Sequence, residues 1–549
     1  MARYFSLASR GVIQAPGSVD ADDTHPQRTR DRWPWPLAIG LALLILLPFA
    51  LAAVGVPAGH LFRGTLKPSG DESQYLAAVR MGMSGAWSWH DPYMTHPPPA
   101  ILMYPLYMAA GHGAALLGLS TPMAFALLHG LAALLLFGAL WRLASPWLDR
   151  GSRAWFVAFS LFSGGLYWLV AVLAVFGRAP TSLSAMGAER LSAFTALLME
   201  AHVACGIVGH VMAIAAVLGA ARTPRGAAGL IHGGAGCAGV ALVGFSIPVL
   251  LPLTLLVVGL LTLERLWAAR REPDHRGRAA RLIALAAFIC LPGLGFSAYY
   301  YHIFSSGPWA KGGFQSVPDS SWSERLLNWG ILLPFAWWGW RRAPAHARPL
   351  ATALAIWACC AVVGSQLPLW QGDRLTVGIS VPLGGLFALG LVGIHVRWFE
   401  NRRWLLLLGA GAGCHYLFLC TALLSGGSPD LYATAEENRA AAWIATREPD
   451  AVVMAPFGFA NTLPIVAPAR VVAGHGYQTL DLADRLRQLT IVYGPGRSAT
   501  ARARAAKASG ATLLVFDQLD TQSGPFFART LPGAREVYAS AHIAVLWLG

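Results

Sequence analysis

The 549-residue sequence has little charge and few cysteines. Only 12% of its residues are charged and 55% are hydrophobic, whereas an ordinary soluble domain carries about 25% charged residues. The 7 cysteines are too few for a disulfide-stapled domain, and the aromatic content of 11% is too high for a low-complexity chain. The composition therefore excludes soluble globular, collagenous and disordered proteins.

Apolar runs of about 20 residues recur along the first four fifths of the chain, and each can cross a hydrocarbon core of about 30 Å. We predict a polytopic α-helical membrane protein with about eleven transmembrane helices. The predicted spans cover residues 37–57, 121–141, 154–176, 202–221, 226–246, 248–263, 282–303, 326–340, 349–365, 379–395 and 404–424.

The interiors of these spans contain none of the 27 acidic residues. An intramembrane proton relay or a gating-charge ladder would need ionisable residues there, so we expect function at the membrane faces. The chain also has no internal repeat, which weakens an inverted-repeat transporter hypothesis.

The net charge of +14 lies mostly on one side of the predicted topology. The amino terminus and alternate loops carry 22 of the 41 Lys and Arg residues, the opposite loops carry 8, and the last 125 residues carry 11. Because positively charged loops stay in the cytoplasm, we predict a cytoplasmic amino terminus, and an odd number of spans places the last segment outside. The basic charge then implies no nucleic-acid partner. All seven cysteines fall in predicted spans, so no disulfide is expected.

One further apolar stretch, Pro97 to Leu119, is long enough to be a span. If it crossed the membrane, every later loop would change sides and 17 basic residues would move outside. We therefore assign it as an interfacial or re-entrant helix. Residues 1–36 contain no apolar stretch, so the first span is expected to serve as the export signal.

The sequence predicts three segments: a cytoplasmic tail (1–36), a transmembrane module (37–424) with a long first outer loop (58–120), and an extracytoplasmic α/β domain (425–549). The composition changes at Ser425 to Pro429. Beyond it, helical patterns alternate with short apolar strands, as in a layered sheet-and-helix unit. The predicted helices are 436–446, 481–488 and 499–509, and the predicted strands are 451–455, 470–473, 512–516 and 543–548.

The first outer loop holds the densest group of polar motifs. Asp71 and Glu72 open a helical pattern over 71–84, and Tyr75 follows one turn after Asp71 on the same face. Trp87, Asp91-Pro92 and His96-Pro97-Pro98-Pro99 come next. The acidic pair also has a purely structural explanation, because an acid at a helix amino terminus caps free N–H groups and favours the dipole.

This order resembles the first outer loop of the membrane glycosyltransferases of the GT-C superfamily, especially the branch of the lipid A aminoarabinose transferase and the protein O-mannosyltransferases. Those proteins are similar in an Asp-Glu pair after the first span, a Tyr four residues after the Asp, a Gly-x-Trp-like turn and a Lys-Pro-Pro-Leu entry to a juxtamembrane helix. The sequence departs at that entry, where His96 stands in place of Lys and Pro99 in place of Leu. A neutral His96 would replace the phosphate contact of that Lys only partly.

The resemblance implies roles for several further residues. Arg374, in a late outer loop before Pro382-Leu383, would bind the lipid phosphate; the alternative is an interfacial anchor that snorkels. Glu200 stands where the family commonly has an Asp, and with His202 it is compatible with a divalent metal site or with a hydrogen-bonded interfacial pair. Trp87 is placed to stack on a sugar. His475 resembles part of a segment after the last span, where a turn with a satisfied histidine is expected.

The chemistry that the resemblance implies is sugar transfer from a polyprenyl-phosphate donor to a hydroxyl of a glycolipid, polysaccharide or protein, with inversion. A hydroxyl needs a base, and the departing phosphate needs positive charge. Asp71 is the candidate base and Glu72 its neighbour, since adjacent like charges raise one pKa. Tyr75, Trp87, His96 and Arg374 would bind substrate. No nucleotide is needed, no cofactor is certain, and the expected location is a bacterial inner membrane.

Two other functions remain open at this point. A lipid or glycan transporter or flippase would need internal repeats, helices broken near the midplane and buried ionisable groups. A non-catalytic membrane scaffold with this fold would have lost the function of Asp71. Geometry distinguishes these two hypotheses from the enzyme, because an enzyme needs Asp71, Glu200 and Arg374 around one outward-facing cavity.

Overall fold

The computed structural model describes residues 34–66, 70–166, 192–222, 227–270, 275–311, 322–367, 372–394, 416–417, 419–425, 431–518 and 531–549. Most of the predicted tail, the second half of the predicted span 154–176 and most of the predicted span 404–424 lie outside these residues.

Helices dominate the fold, and most begin at a proline or at a side-chain cap. Pro34 and Trp35-Pro36 open the first helix, Asp149 caps the fifth, and Ser192 caps the sixth with Thr195. These residues satisfy or remove the free N–H groups of a first turn. In chain order the helices are α1 (Trp35–Val54), α2 (Gly70–Met83), α3 (Pro105–Leu117), α4 (Thr121–Ala144), α5 (Arg150–Phe162), α6 (Ala193–Met199), α7 (Ala201–Arg222), α8 (Ala227–Ser246), α9 (Leu251–Ala269), α10 (His275–Ser305), α11 (Trp322–Asn328), α12 (Leu333–Arg342), α13 (Arg348–Gly364), α14 (Ser380–Gly393), α15 (Ala435–Arg447), α16 (Phe457–Val466), α17 (Leu482–Tyr493) and α18 (Ala499–Ala508).

Eight of the described helices, some with an adjoining 3-10 turn, are long and apolar enough to cross a membrane: α1, α4, α7, α8, α9, α10, α13 and α14. Each corresponds to one of the eleven predicted spans, so the chain is a multi-pass membrane protein. The predicted span 326–340 is instead divided into two short helices, α11 and α12, with a 3-10 turn between them. The count of eleven is therefore not reproduced in the described residues.

The stretch from Pro97 to Leu119 contains one helix, α3, of 13 residues. At 1.5 Å per residue it extends roughly 20 Å, which is short of a hydrocarbon core of about 30 Å. Helix α3 packs along α2, so the two helices form a layer in the first outer loop.

Glycines allow the closest helix contacts. A Cβ atom on Gly209 of α7 would lie 2.3 Å from the carbonyl oxygen of Gly239 on α8. On the loop helices, a Cβ on Gly82 of α2 would lie 2.1 Å from the Met108 carbonyl oxygen, and a Cβ on Gly111 of α3 would lie 2.1 Å from that of Val79. Backbones this close leave no room for a side chain, so these glycines hold α2 against α3.

The chain after residue 431 forms a sheet with helices packed against it. The strands, numbered with the two short ones described next, are β3 (Val452–Met454), β4 (Arg470–Val471), β5 (Leu513–Asp517), β6 (Arg535–Ala539) and β7 (Ile543–Trp547), in the spatial order β4-β3-β5-β7-β6. Strands β4, β3 and β5 are parallel, and β7 is antiparallel to both β5 and β6. Four of these strands were predicted from the sequence; β6 and helix α16 were not.

Two short strands join this unit to the first outer loop. Strand β1 (His60–Phe62) follows α1, and it pairs antiparallel with β2 (Tyr432–Thr434) at the start of α15. One hydrophobic cluster also runs through both parts, with Leu76 and Tyr107 from the loop helices and Phe459 and Val471 from the sheet unit. The loop and the sheet unit therefore share a core.

We predict that alanine at Gly111 destabilises the protein and that alanine at Gly113 does not. Both glycines lie in α3, but a Cβ on Gly113 meets no atom within 4 Å. Overpacking costs about 1–3 kcal/mol, whereas Gly→Ala at an open helix position gains roughly 0.5–1 kcal/mol. Thermal unfolding in detergent should show a lower Tm for Gly111→Ala alone; equal Tm values for the two variants would contradict the α2–α3 contact.

Candidate functional site

The acidic pair begins α2, as the sequence predicts. Asp71 and Glu72 lie in the first turn, where carboxylates favour the helix dipole. Their exposure differs: the Asp71 side chain is 35% exposed, whereas Glu72 is buried at 2%. Asp71 is thus the carboxylate of the pair that a solvent-borne or membrane-borne substrate can reach.

Aromatic rings form one wall beside Asp71. The Tyr75 ring stacks on Tyr107 of α3, with centroids 4.6 Å apart and an interplanar angle of 14°, and it meets Tyr104 edge to face. The His202 ring lies 4.9 Å from Tyr75. This wall joins α2, α3 and the start of α7.

Glu200 and His202 lie at the junction of α6 and α7. The Tyr107 hydroxyl is 2.9 Å from Nδ1 of His202. Burial raises the pKa of the Tyr107 phenol well above its usual value, and the carboxylates of Glu200 and Glu72 raise it further. Tyr107 is therefore a neutral phenol that lies close to both acids.

Arg374 and the two acids act on one phenol. Burial raises the pKa of Tyr75 well above its usual value, Glu200 and Asp71 raise it further, and the Arg374 guanidinium lowers it. Charge interactions weaken with distance, so each of the three charged groups is near enough to Tyr75 to shift its pKa. Arg374 comes from the short 3-10 turn Gly372–Thr376 before α14. Charged groups from three separate parts of the chain therefore influence this one phenol.

The possible metal donors do not form a complete set. Within the part of the chain that the structure describes, no three His, Cys, Asp or Glu side chains converge to hold a metal ion. His202 has Nδ1 engaged with the Tyr107 hydroxyl. Glu200 and His202 belong to a charged cluster in which His202 contacts the Tyr107 hydroxyl.

Two predicted substrate-binding residues lie elsewhere. Trp87 follows the far end of α2, roughly 18 Å along the helix from Asp71 at 1.5 Å per residue, and it stacks on His112 at 4.2 Å. His96 is exposed and lies against Gly510, next to α18. The Tyr75–His202 ring contact and the charges that shift the pKa values of Tyr75 and Tyr107 link one group of residues: Asp71, Glu72, Tyr75, Arg374, Glu200 and His202. Trp87 and His96 have no such link to this group.

The sheet unit contacts α2 through a set of buried polar groups. Ser73 donates to the Asn461 side-chain oxygen at 2.5 Å, and Asn461 donates to the Gly474 carbonyl at 2.6 Å. Gln478 donates to Gln74 at 2.8 Å and to the Tyr104 hydroxyl at 2.7 Å. These bonds fix the first turns of α2 against the turn that follows β4.

The same turn places a histidine at the carboxylate. Nε2 of His475 lies 3.6 Å from Oδ1 of Asp71. The sequence pattern predicts a satisfied turn histidine, and the ring does accept hydrogen bonds within its turn through Nδ1. Its other nitrogen faces the candidate base.

A groove of about 530 Å³ lies at the opposite end of α2 from Asp71. Arg63, Arg80, Ser84, Thr121, Glu437 and Leu463 are among the residues that line it. Asp71, Glu200 and Arg374 do not line this groove, so it is separate from the charged cluster.

Solved structures share this architecture. The oligosaccharyltransferase AglB of Archaeoglobus fulgidus in the apo form matches with a TM-score of 0.53 at 12% identity, over 89% of this chain and 70% of that chain. The same enzyme in complex with an inhibitory peptide and a dolichol-phosphate matches with a TM-score of 0.52 at 12% identity, over 88% and 70%. The mycobacterial arabinofuranosyltransferase AftD matches with a TM-score of 0.53 at 14% identity, over 93% of this chain and 40% of that chain. The fold is that of the GT-C glycosyltransferases.

The likeness to these GT-C proteins concerns the fold, since the identities are 12 to 14%. The chain spans about two fifths of the length of AftD. By sequence, no family model and no curated protein matches the chain.

Several residues of the candidate site were not identified from the sequence. Tyr107, Asn461 and Gln478 each contact a group in or beside α2, yet none belongs to a motif that sequence spacing would single out. His475 is the exception, because it belongs to the segment Arg470 to His475, which resembles a segment of the GT-C glycosyltransferases. That segment was the one sequence signal for the contact between the sheet unit and α2.

We predict that Asn461→Ala loosens the sheet unit from α2. The change removes the bonds to Ser73 and Gly474 and leaves buried partners unsatisfied, at about 1–3 kcal/mol each. Thr462→Ala is the matched control, because the Thr462 hydroxyl bonds within its own helix. Limited proteolysis should cut Asn461→Ala faster than the control; equal cleavage rates would contradict the role given to Asn461.

Proposed function

We propose that the protein is a membrane glycosyltransferase that moves a sugar from a polyprenyl-phosphate donor to a hydroxyl group, with inversion at the anomeric carbon. The observation that supports this proposal is the partly exposed carboxylate of Asp71 in the first turn of α2, one turn before the stacked phenol of Tyr75, whose pKa responds to Asp71, Glu200 and Arg374. A carboxylate base and a cation near each other are the two groups that the transfer requires. The GT-C fold supports the same reaction class.

Asp71 acts as the general base in this scheme. It takes the proton of the acceptor hydroxyl as the acceptor oxygen forms a bond to the anomeric carbon. Its partial exposure lets a hydroxyl reach it, whereas buried Glu72 supports the cluster from below. A positioned base of this kind contributes about 10²–10⁴-fold to the rate.

Arg374 acts on the leaving group. The bond between the anomeric carbon and the phosphate oxygen breaks, and the electron pair leaves with the polyprenyl phosphate. A guanidinium matches a phosphate with two parallel N–H donors, and it neutralises the charge that develops there. Arg374 stands just before the membrane helix α14, which suits a phosphate attached to a lipid tail in the bilayer.

The neutral phenols of Tyr75 and Tyr107 supply a polar wall for the sugar. Both rings pack against each other, so their hydroxyls are held in place without ionising. Every step of this scheme uses side chains of this chain.

The donor class follows from the lipid setting. One of the structures of AglB contains a dolichol-phosphate, and we infer a polyprenyl phosphate as the carrier here. The acceptor can be a glycolipid, a polysaccharide or a protein. A transporter would require ionisable groups within the spans, and the candidate groups here come from α2, from the α6–α7 junction and from the turn before α14.

The decisive experiment is sugar release from a panel of polyprenyl-phosphate monosaccharides by the purified protein in liposomes with acceptor extract present. We expect turnover of one donor by the native protein and a loss of about 10²–10⁴-fold in Asp71→Asn, because the amide cannot take a proton. Asp484→Asn is the control, since Asp484 is 61% exposed on α17 and pairs with Arg487.

Equal turnover by the native protein and Asp71→Asn would refute Asp71 as the base. Absence of turnover with every donor, in protein that unfolds cooperatively, would refute the enzyme and favour the transporter or scaffold function.

The proposed setting is a bacterial inner membrane, with the amino terminus in the cytoplasm and the sheet unit and the charged cluster outside. The excess of basic loops on one side of the predicted topology supports this orientation. A reporter enzyme that folds only outside the cytoplasm, fused after Gly549, should be active. Activity of a cytoplasm-only reporter at the same junction would reverse the orientation.

A further inference from the structure

The His475 ring is held in one orientation by the turn after β4. Its side chain is 1% exposed, and the Tyr93 ring lies against it at a centroid distance of 5.1 Å. Thr479 closes the turn, because its amide donates to the His475 carbonyl at 3.1 Å and its hydroxyl accepts from the His475 amide at 3.3 Å. The same hydroxyl donates to the Tyr93 carbonyl of the first outer loop at 3.1 Å. The turn is thus fixed both internally and to the outer loop.

The hydrogen bonds of the turn assign the tautomer of His475. Nδ1 accepts the backbone N–H groups of Tyr477 at 3.1 Å and of Gln478 at 3.3 Å. A ring nitrogen that accepts hydrogen bonds carries no proton, so in the neutral ring the proton lies on Nε2. Nε2 is therefore a donor, and its position is set by the sheet unit.

This donor faces one oxygen of the candidate base. Nε2 lies 3.6 Å from Oδ1 of Asp71, a few tenths of an ångström beyond hydrogen-bond distance. Catalytic hydrogen bonds are often long before substrate binds and shorten in the complex. His475 is buried and Asp71 is partly exposed, so the histidine approaches the carboxylate from the protein side.

A carboxylate in the first turn of a helix needs such a partner to have one orientation. The helix N-terminus attracts its charge but does not choose which oxygen points outward. A general base must lie within hydrogen-bond reach of the proton it takes, and a misplacement of about 1 Å can cost about 10²-fold in rate.

We propose that His475 is a positioning residue for the transfer reaction: its Nε2–H holds Oδ1 of Asp71, so that Oδ2 faces the acceptor hydroxyl. The sheet unit thereby supplies a part of the reaction centre of the membrane module. This inference rests on the proposed function, because it takes Asp71 as the base.

Two amide substitutions of His475 test the roles of its two ring nitrogens separately. His475→Asn places its side-chain oxygen near the position of Nδ1, so it can still accept from the turn but has no donor at the Nε2 position. His475→Gln places its amide nitrogen near the position of Nε2, so it keeps the donor to Asp71 and gives up the Nδ1 acceptor. A purely structural histidine and a positioning histidine therefore predict opposite orders of activity.

With the donor sugar identified for the native protein, we expect kcat of His475→Asn to fall about 10- to 100-fold, with KM for the lipid donor within about twofold. His475→Gln should retain kcat within about threefold of the native value, even if its Tm is lower. In the Asp71→Asn background, His475→Asn should cause no further loss of the residual rate, since residues that act through one group are not additive.

The opposite order, with Asn active and Gln inactive, would overturn the proposal and leave His475 as a turn residue. Equal activity of both variants, loss of activity in both with unchanged Tm, or a further loss in the Asp71→Asn background would overturn it as well.

Turnover by the native protein distinguishes failure of the proposed function from failure of this inference. If no donor is turned over, the enzyme is refuted, and the contact itself is then tested by Tm values of His475→Asn, Asp71→Asn and the double variant. Additive Tm shifts would refute the contact, and non-additive shifts would support it without the activity.

Discussion

Helix α2 is held between two partners, and the position of the candidate base Asp71 depends on this. On one side the glycine contact with α3 brings the two backbones together, so that Tyr75 and Tyr107 can stack. On the other side Ser73 and Gln74 bond to Asn461 and Gln478 of the sheet unit. Glycine contacts resist separation of the helices, and buried polar bonds resist sliding. Together they fix the first turn of α2, where Asp71 lies.

The bilayer explains why such an arrangement is needed. Ionisable groups are costly in hydrocarbon, and the charged groups of this cluster come from the start of α2, the α6–α7 junction and the turn before α14. Loops that run over the surface of a protein are mobile unless other elements hold them. The shared hydrophobic cluster and the β1–β2 pair hold the first outer loop to the sheet unit. The sheet unit therefore helps to hold the loop that carries Asp71.

Much of this fold could be predicted from local sequence patterns, because those patterns report burial and helix ends. The helix that begins at Asp71 and four strands of the sheet unit follow from spacing and apolar runs. The span 326–340 illustrates the limit. Its apolar composition predicts one helix, but the structure divides it at Trp329 to Leu332. The prediction missed this division because composition alone does not report where a helix is interrupted.

The site was predictable only where its groups belong to one motif. Asp71 and Tyr75 are one helical turn apart, so spacing relates them directly. His475 and Asp71 are brought together by the docking of the sheet unit, which no local pattern encodes. Trp87 shows the reverse case: it is close to Asp71 in sequence order, but a straight helix of roughly 18 Å lies between them. Sequence proximity therefore does not by itself give spatial proximity, and sequence separation concealed the approach of His475 to Asp71.

The charge balance of the cluster has a consequence for the reaction. Asp71 and Glu200 are both acids near one guanidinium, and the histidine tautomer assigned by the turn adds no charge. In the proposed reaction, Arg374 would bind the lipid phosphate at the turn before α14. Near Asp71 the carboxylates would repel anions and accept hydrogen bonds, which favours a neutral hydroxyl over a second phosphate. The proposed arrangement would thus separate the two substrates by charge: the lipid phosphate at the cation, and the hydroxyl at the base that His475 is proposed to orient.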